Sequence, residues 1–242
     1  MTPVAPDTGQ PAGPVTPVIR LAAVNVGTPM PLAQVRGENV WSGIGKRPVA
    51  PTSLLWVSAL NLAGDGQADL AVHGGLDKAI YAYPSEHLGP WAKELGQQLG
   101  TAPFGENLST VGLVERDVRI GDIWEWDAAL LQVTQPRWPC FKLTLYRDRD
   151  DIQARLRASG RTGWYLRVLE PGEVRAAGPI RVAIQDPAGI SVHDAHLAMS
   201  DRHMADPDLM RAVSEHPSLA DQWREPLVRR LQHRIARDCG KD

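Results

Sequence analysis

Between Val18 and about Asp186 the chain breaks into short β-prone runs separated by Gly, Pro and Asp, and helices do not alternate with them. The runs Ile19–Val26, Leu54–Leu60, Lys78–Tyr83, Asp122–Trp126, Leu130–Thr134 and Ile180–Ile184 are β-branched, aromatic or alternating, as half-buried strands are. Ile123 to Trp126, then Asp127-Ala128-Ala129 and Leu130 to Val133, reads as a hairpin. A doubly wound parallel sheet requires a helix after nearly every strand, so the pattern predicts an α+β chain built on a mostly antiparallel, barrel-like sheet.

Helical signals are confined to a few places. Ser85 is placed to cap a helix carrying Trp91, Leu95 and Leu99 at fourfold spacing, and a second helix is expected from Asp150 to Ala158, stopped at Ser159-Gly160. After Pro187-Ala188-Gly189 the pattern turns helical throughout. Ser191-Val192-His193-Asp194 resembles a capping box, Pro207 opens another helix, and Trp223, Leu227, Leu231 and Ile235 form an i, i+4 stripe. Arg229, Arg230, Arg234 and Arg237 lie off that stripe and are expected on a solvated face. The expected organisation is a proline-rich disordered extension over 1–17, a β-barrel domain over 18–188 and a small three-helix domain over 189–242.

A net charge of −2 gives no support for binding a polyanion by phosphate neutralisation, so no nucleic-acid partner is expected. Two cysteines, Cys140 and Cys239, give no disulfide framework. With no apolar run of about 18 residues and no leader-like N-terminus, no membrane partner is expected and the protein reads as soluble and cytoplasmic.

Four loop segments carry chemistry. In Ser42-Gly43-Ile44-Gly45-Lys46-Arg47-Pro48, glycines flank adjacent cations, which suits close approach to a phosphate and equally suits a solvated turn. In Val72-His73-Gly74-Gly75, His73 is a candidate proton carrier or an ordinary structural histidine, and no second ligand stands at zinc-like spacing. In Phe104-Gly105-Glu106-Asn107-Leu108, Asn107 offers two donors and an acceptor to a pterin or purine, or to local backbone. In Gln135-Pro136-Arg137-Trp138-Pro139-Cys140, two prolines stiffen the approach to a thiol near a guanidinium. Such a thiol is a nucleophile or soft-metal ligand if ionised, and a small hydrophobe if buried and inert. A Cys–His–Asn or Cys–His–Asp hydrolase, with His73 and Asn107 meeting Cys140 in space, is an open alternative. No GxSxG, P-loop, GxGxxG or CxxC motif is present.

Taken in order, Gly64-Asp65-Gly66-Gln67-Ala68-Asp69, Val72 to Gly75, Tyr81 to His87, Phe104 to Leu108 and Gln135 to Cys140 resemble the MOSC domain, named after the C-terminal part of molybdenum cofactor sulfurases. The likeness extends to bacterial MOSC proteins that protect against 6-N-hydroxylaminopurine and carry a C-terminal three-helix domain. It implies a molybdenum cofactor (molybdopterin) bound through pterin and phosphate, with Cys140 as metal ligand, Asn107, Arg137 and Lys46 as cofactor-binding residues, and Cys140 and the pocket residue His73 as the catalytic candidates. It implies an oxidoreductase that reduces N-hydroxylated bases to amines with electrons from a separate reductase. A pyridoxal phosphate site is not expected. A persulfide-carrying or hydrolytic cysteine enzyme, and a non-catalytic cofactor-binding module, are the alternatives.

Overall fold

The computed structural model describes residues 18–68, 74–201 and 206–239, with the side chains of residues 235 and 237–239 outside that description. The proposed extension over 1–17, His73, and the side chains of Ile235 and Arg237 therefore lie outside the described residues.

The chain opens with β1 (Val18–Val26), a hairpin of β2 (Met30–Val35) and β3 (Glu38–Ser42), the short β4 (Arg47–Pro48), and β5 (Leu54–Val57). A 3-10 turn at Leu76–Lys78 leads into β6 (Ile80–Pro84), and another at Ser85–His87 leads into α1 (Leu88–Leu95). Then come β7 (Leu108–Val111), β8 (Ile123–Trp126), β9 (Ala129–Pro136), α2 (Phe141–Arg147), α3 (Ile152–Ser159), β10 (Trp164–Glu170), β11 (Gly172–Arg175) and β12 (Pro179–Ile184). The chain ends in α4 (Val192–Ser200), α5 (Pro207–Glu215) and α6 (Asp221–Cys239).

Strands run in the order β12-β8-β9-β10-β6-β7-β1, and β1 pairs back onto β12, so seven strands close into a barrel with β4 attached outside it. Every seam is antiparallel except β6–β7, where Ala82 pairs with Leu108 in parallel. The barrel is therefore mixed rather than purely antiparallel, because α1 and its loop intervene and carry the chain across one end before it pairs. Closure leaves the barrel no free sheet edge.

Alternation produces the core. In β12, Ile180 and Val182 face inward between exposed neighbours, and in β1 Ile19 and Leu21 do the same. Trp124, Trp126 and Trp164 are fully buried, with Trp124 and Trp164 packed edge to face at 5.7 Å. One apolar cluster extends from these strands into Val192, Ala195, Val213 and Leu227 of the last three helices. A second cluster, with Tyr81, Tyr83, Trp91, Phe104 and Leu156, lies under α1 to α3.

The capping box at Ser191 forms in full, its hydroxyl accepting from the Asp194 amide at 3.0 Å while the Asp194 carboxylate accepts from the Ser191 amide at 3.0 Å. Pro207 occupies the first turn of α5 as expected. Two helix expectations are corrected. Ser85 caps nothing, since it begins a 3-10 turn, and α1 stops at Gly96 (φ 65°), so Leu99 is buried from a loop. Arg230 is not on a solvated face: its guanidinium donates to the carbonyls of Ala198 (3.2 Å) and Met199 (2.8 Å), tying α6 to the end of α4.

Candidate functional site

The hairpin β2–β3 delivers its outgoing loop, Ser42 to Lys46, over one end of the barrel, where it meets the turn at Asp65-Gly66. Two glycines allow that approach. A Cβ on Gly43 would collide with the carbonyl oxygen of Gly66, and Gly105 (φ 78°) lies where a Cβ would stand 2.5 Å from the Ile44 side chain. From the other side, the rigid Gln135–Pro139 stretch leaves β9 and places Cys140 at the entry to α2. The result is a narrow cleft of about 90 Å³, open to solvent, lined by Lys46, Asp65, Lys78, Arg137, Cys140 and Tyr165 among others.

The floor is a hydrogen-bonded network around Asp65. Its Oδ1 accepts from the Gly27 amide (2.9 Å) and from Lys46 Nζ, while Oδ2 accepts from Asn107 Nδ2 (2.9 Å). Asn107 is spoken for within the protein: Nδ2 also donates to the Asn25 carbonyl (3.2 Å) and Oδ1 accepts from the Tyr81 amide (3.1 Å). Asn107 therefore lines the cleft as a brace for Asp65 and the β6 backbone.

Lys46 is buried, and burial lowers its pKa while Asp65 pulls the other way. Arg137 is buried with its guanidinium carbon 4.9 Å from the centre of the Tyr81 ring, and its Nη1 has no hydrogen-bond partner. A buried guanidinium beside an open cleft, with one nitrogen lacking an acceptor, suits an anionic ligand. Lys78 has its pKa lowered by burial, opposed by Cys140 and Asp77. Cys140 is half-buried, and a thiolate there would act on both Lys78 and Arg137. Behind the floor, Glu106 is fully buried, accepting from the Phe104 amide (3.1 Å) and the Ser109 hydroxyl (3.2 Å), and burial raises its pKa to about 7.

The structure thus brings Lys46, Asn107, Arg137 and Cys140 to one cleft. Arg47 points to solvent. Sequence reasoning missed Asp65, Lys78, Tyr81 and Tyr165 as site residues. Among the described residues no group of three or more His, Cys, Asp or Glu stands ready to hold a metal ion. The fit to a molybdenum cofactor is one of charge and donor type: a thiol in a cleft that is also lined by Lys46, Lys78 and the buried Arg137, whose Nη1 has no acceptor.

A family model described as MOSC domain matches residues 69–181. A Bacillus subtilis protein, uncharacterized protein YflK, is 37% identical over 208 residues, covering 86% of this chain and 92% of that one. The chain belongs to the MOSC domain family. Protein YiiM of Escherichia coli is 45% identical over 149 residues, 57% of this chain and 66% of that MOSC relative. The crystal structure of YiiM from Geobacillus stearothermophilus superposes with a TM-score of 0.73 at 30% identity, covering 88% of this chain and 99% of that one. A protein of Gibberella moniliformis named reductase is 35% identical over 124 residues, 50% of this chain but 22% of its own length. Among the described residues no helix is long and apolar enough to cross a membrane.

Proposed function

We propose that this MOSC protein is a molybdenum-cofactor-dependent reductase that converts N-hydroxylated bases and related compounds to amines, drawing electrons from a separate reductase. The observation that carries the reading is the thiol of Cys140 at the mouth of a cleft whose buried Arg137 Nη1 lacks an acceptor. The MOSC relative named reductase supports the reaction class.

When bound, the cofactor supplies the two electrons that, with two protons, take an N–OH group to an amine and water. The protein's own residues supply binding and placement. Cys140 is the metal ligand. Arg137 and Lys46 face the anionic end of the cofactor, Arg137 as a planar fork and Lys46 as a point charge held in place by Asp65. Asn107 acts one step back, by fixing Asp65. Lys78, whose ammonium is weakened by burial, stands on the same cleft as Cys140 and is the group we assign to holding a proton near the reacting centre. Tyr165 lines the same cleft, and burial raises the pKa of its phenol, so it stays neutral. The proposal includes a cytoplasmic protein without nucleic-acid or membrane partners, and a division at about residue 188 between barrel domain and three-helix domain.

The test is reduction of an N-hydroxylated base by protein purified from a cofactor-competent host and supplied with a chemical electron donor. The expected result is amine formation by the wild type and loss of at least about a hundredfold in Cys140→Ala, a catalytic-ligand effect. Full turnover by the alanine variant overturns the assignment.

A further inference from the structure

Cys140, Lys78 and Tyr165 line a second cleft as well as the first. This one holds a cavity of about 310 Å³ between the barrel and the C-terminal helices, at the lower end of small-molecule sites. Its character differs from that of the cationic cleft. Trp138 from the Pro136–Pro139 stretch, Met199 at the end of α4, and Trp223 and Pro226 of α6 make its walls apolar and largely aromatic. Trp138 is 40% exposed yet held in place: it packs edge to face on Trp223 at 5.9 Å, against His196 at 6.0 Å, and beneath the Arg157 guanidinium at 5.9 Å. A partly exposed indole fixed by three neighbours lines the cleft already ordered, so its exposed part needs no ordering when a ligand arrives.

A second, independent observation points to a ligand. Gln135 lines this cleft and is only 2% exposed, and its Oε1 is buried with no hydrogen-bond partner. Its amide nitrogen is turned to the Pro136 carbonyl at 3.4 Å, so the orphan is an acceptor waiting for an N–H or O–H.

We propose that this second cleft is the substrate subsite, taking a planar, uncharged heteroaromatic hydroxylamine that stacks on Trp138, donates an N–H to Gln135 and presents its N–OH group at Cys140. The inference rests on the proposed reductase reading and assigns the C-terminal helices a task within it: α4 and α6 build the wall that selects flat apolar rings. The two clefts then divide the work, charge complementarity for the cofactor on one side of Cys140 and stacking for the substrate on the other.

The test is equilibrium binding of adenine, the amine such a reduction would release, measured by calorimetry on the protein as isolated, with molybdenum content recorded for each preparation. Wild type binds, and Trp138→Ala binds about tenfold more weakly, as loss of one base–aromatic stack implies. Gln222→Trp fills the cleft from an exposed position of α6, giving up the hydrogen bond that Gln222 accepts from Lys78, and abolishes adenine binding without disturbing the core. Both variants keep the wild-type molybdenum content. If Trp138→Ala proves misfolded, Gln222→Trp decides alone. Adenine binding that ignores both substitutions, or fails in the wild type, overturns the subsite. A protein devoid of molybdenum whose adenine binding still follows Trp138 and Gln222 refutes the cofactor reading and leaves the subsite standing.

Discussion

Replacing Asp65 by alanine removes the centre of the cleft floor in one step. The Asp65 side chain is 1% exposed and Lys46 8%, so neither partner has water to fall back on. The substitution strips an acceptor from the Gly27 amide, the Lys46 ammonium and the Asn107 amide together. Breaking a buried ion pair from one side costs about 3–5 kcal/mol, because the remaining charge is left uncompensated. For a chain of this size that lowers Tm by roughly 10 °C. The effect has a pH signature. Burial already lowers the Lys46 pKa and Asp65 opposes that shift, so Asp65→Ala drives the pKa further down. The unfolded chain then holds a proton that the folded variant releases, so the variant regains stability as pH rises from that lowered pKa towards the ordinary lysine value of 10.5. Urea unfolding at about pH 7 and about pH 9.5 should show a deficit that shrinks at the higher pH. Adding Lys46→Met removes the stranded charge and should recover more than half of the loss. A deficit below about 1 kcal/mol, or one identical at both pH values and untouched by Lys46→Met, refutes the network as described.

Three further outcomes follow from the same geometry. Glu106, with its folded pKa raised to about 7 against 4.5, holds a proton that the unfolded chain releases, so stability falls as pH climbs through that window, by up to about 3 kcal/mol. Glu106→Gln, permanently neutral, should flatten this slope in urea titrations between about pH 5 and pH 8, and an unchanged slope assigns the dependence elsewhere. Gly43→Ala forces a methyl group onto the Gly66 carbonyl and should cost about 1–3 kcal/mol in thermal melts, with cofactor retention impaired. Glu115 accepts from the Gly163 amide at 2.8 Å and pairs with His87 at 2.7 Å, so Glu115→Ala should destabilise by about 2–4 kcal/mol, whereas Glu94→Ala, at an exposed pair, should cost less than about 1 kcal/mol.

The parts of the fold visible in sequence are those whose burial is periodic. Ile180 and Val182 alternate against exposed neighbours, and Ser191-Val192-His193-Asp194 announces α4 through a local capping exchange. The β2–β3 hairpin gave no such signal because neither strand has a buried residue, so no alternation is imposed on it. β10 escaped because its later residues, Arg167 to Glu170, emerge from the core and blur the period. In the site, Arg137 and Cys140 could be nominated from six contiguous residues. Asp65 could not: between glycines it reads as a turn, and its importance depends on Lys46 and on Asn107, 42 positions along the chain. Tyr165 sits in a strand with nothing local to mark it, and the Trp138–Trp223 pair joins segments that only the packing of α6 brings together.

The most direct measurement is molybdenum X-ray absorption, with metal quantitation, on freshly isolated wild type and Cys140→Ser. The account predicts about one molybdenum per chain in the wild type and a metal–sulfur shell that loses one thiolate scatterer in the serine variant. Full metal occupancy with an unaltered sulfur shell in Cys140→Ser, or wild-type protein free of molybdenum from a competent host, contradicts it.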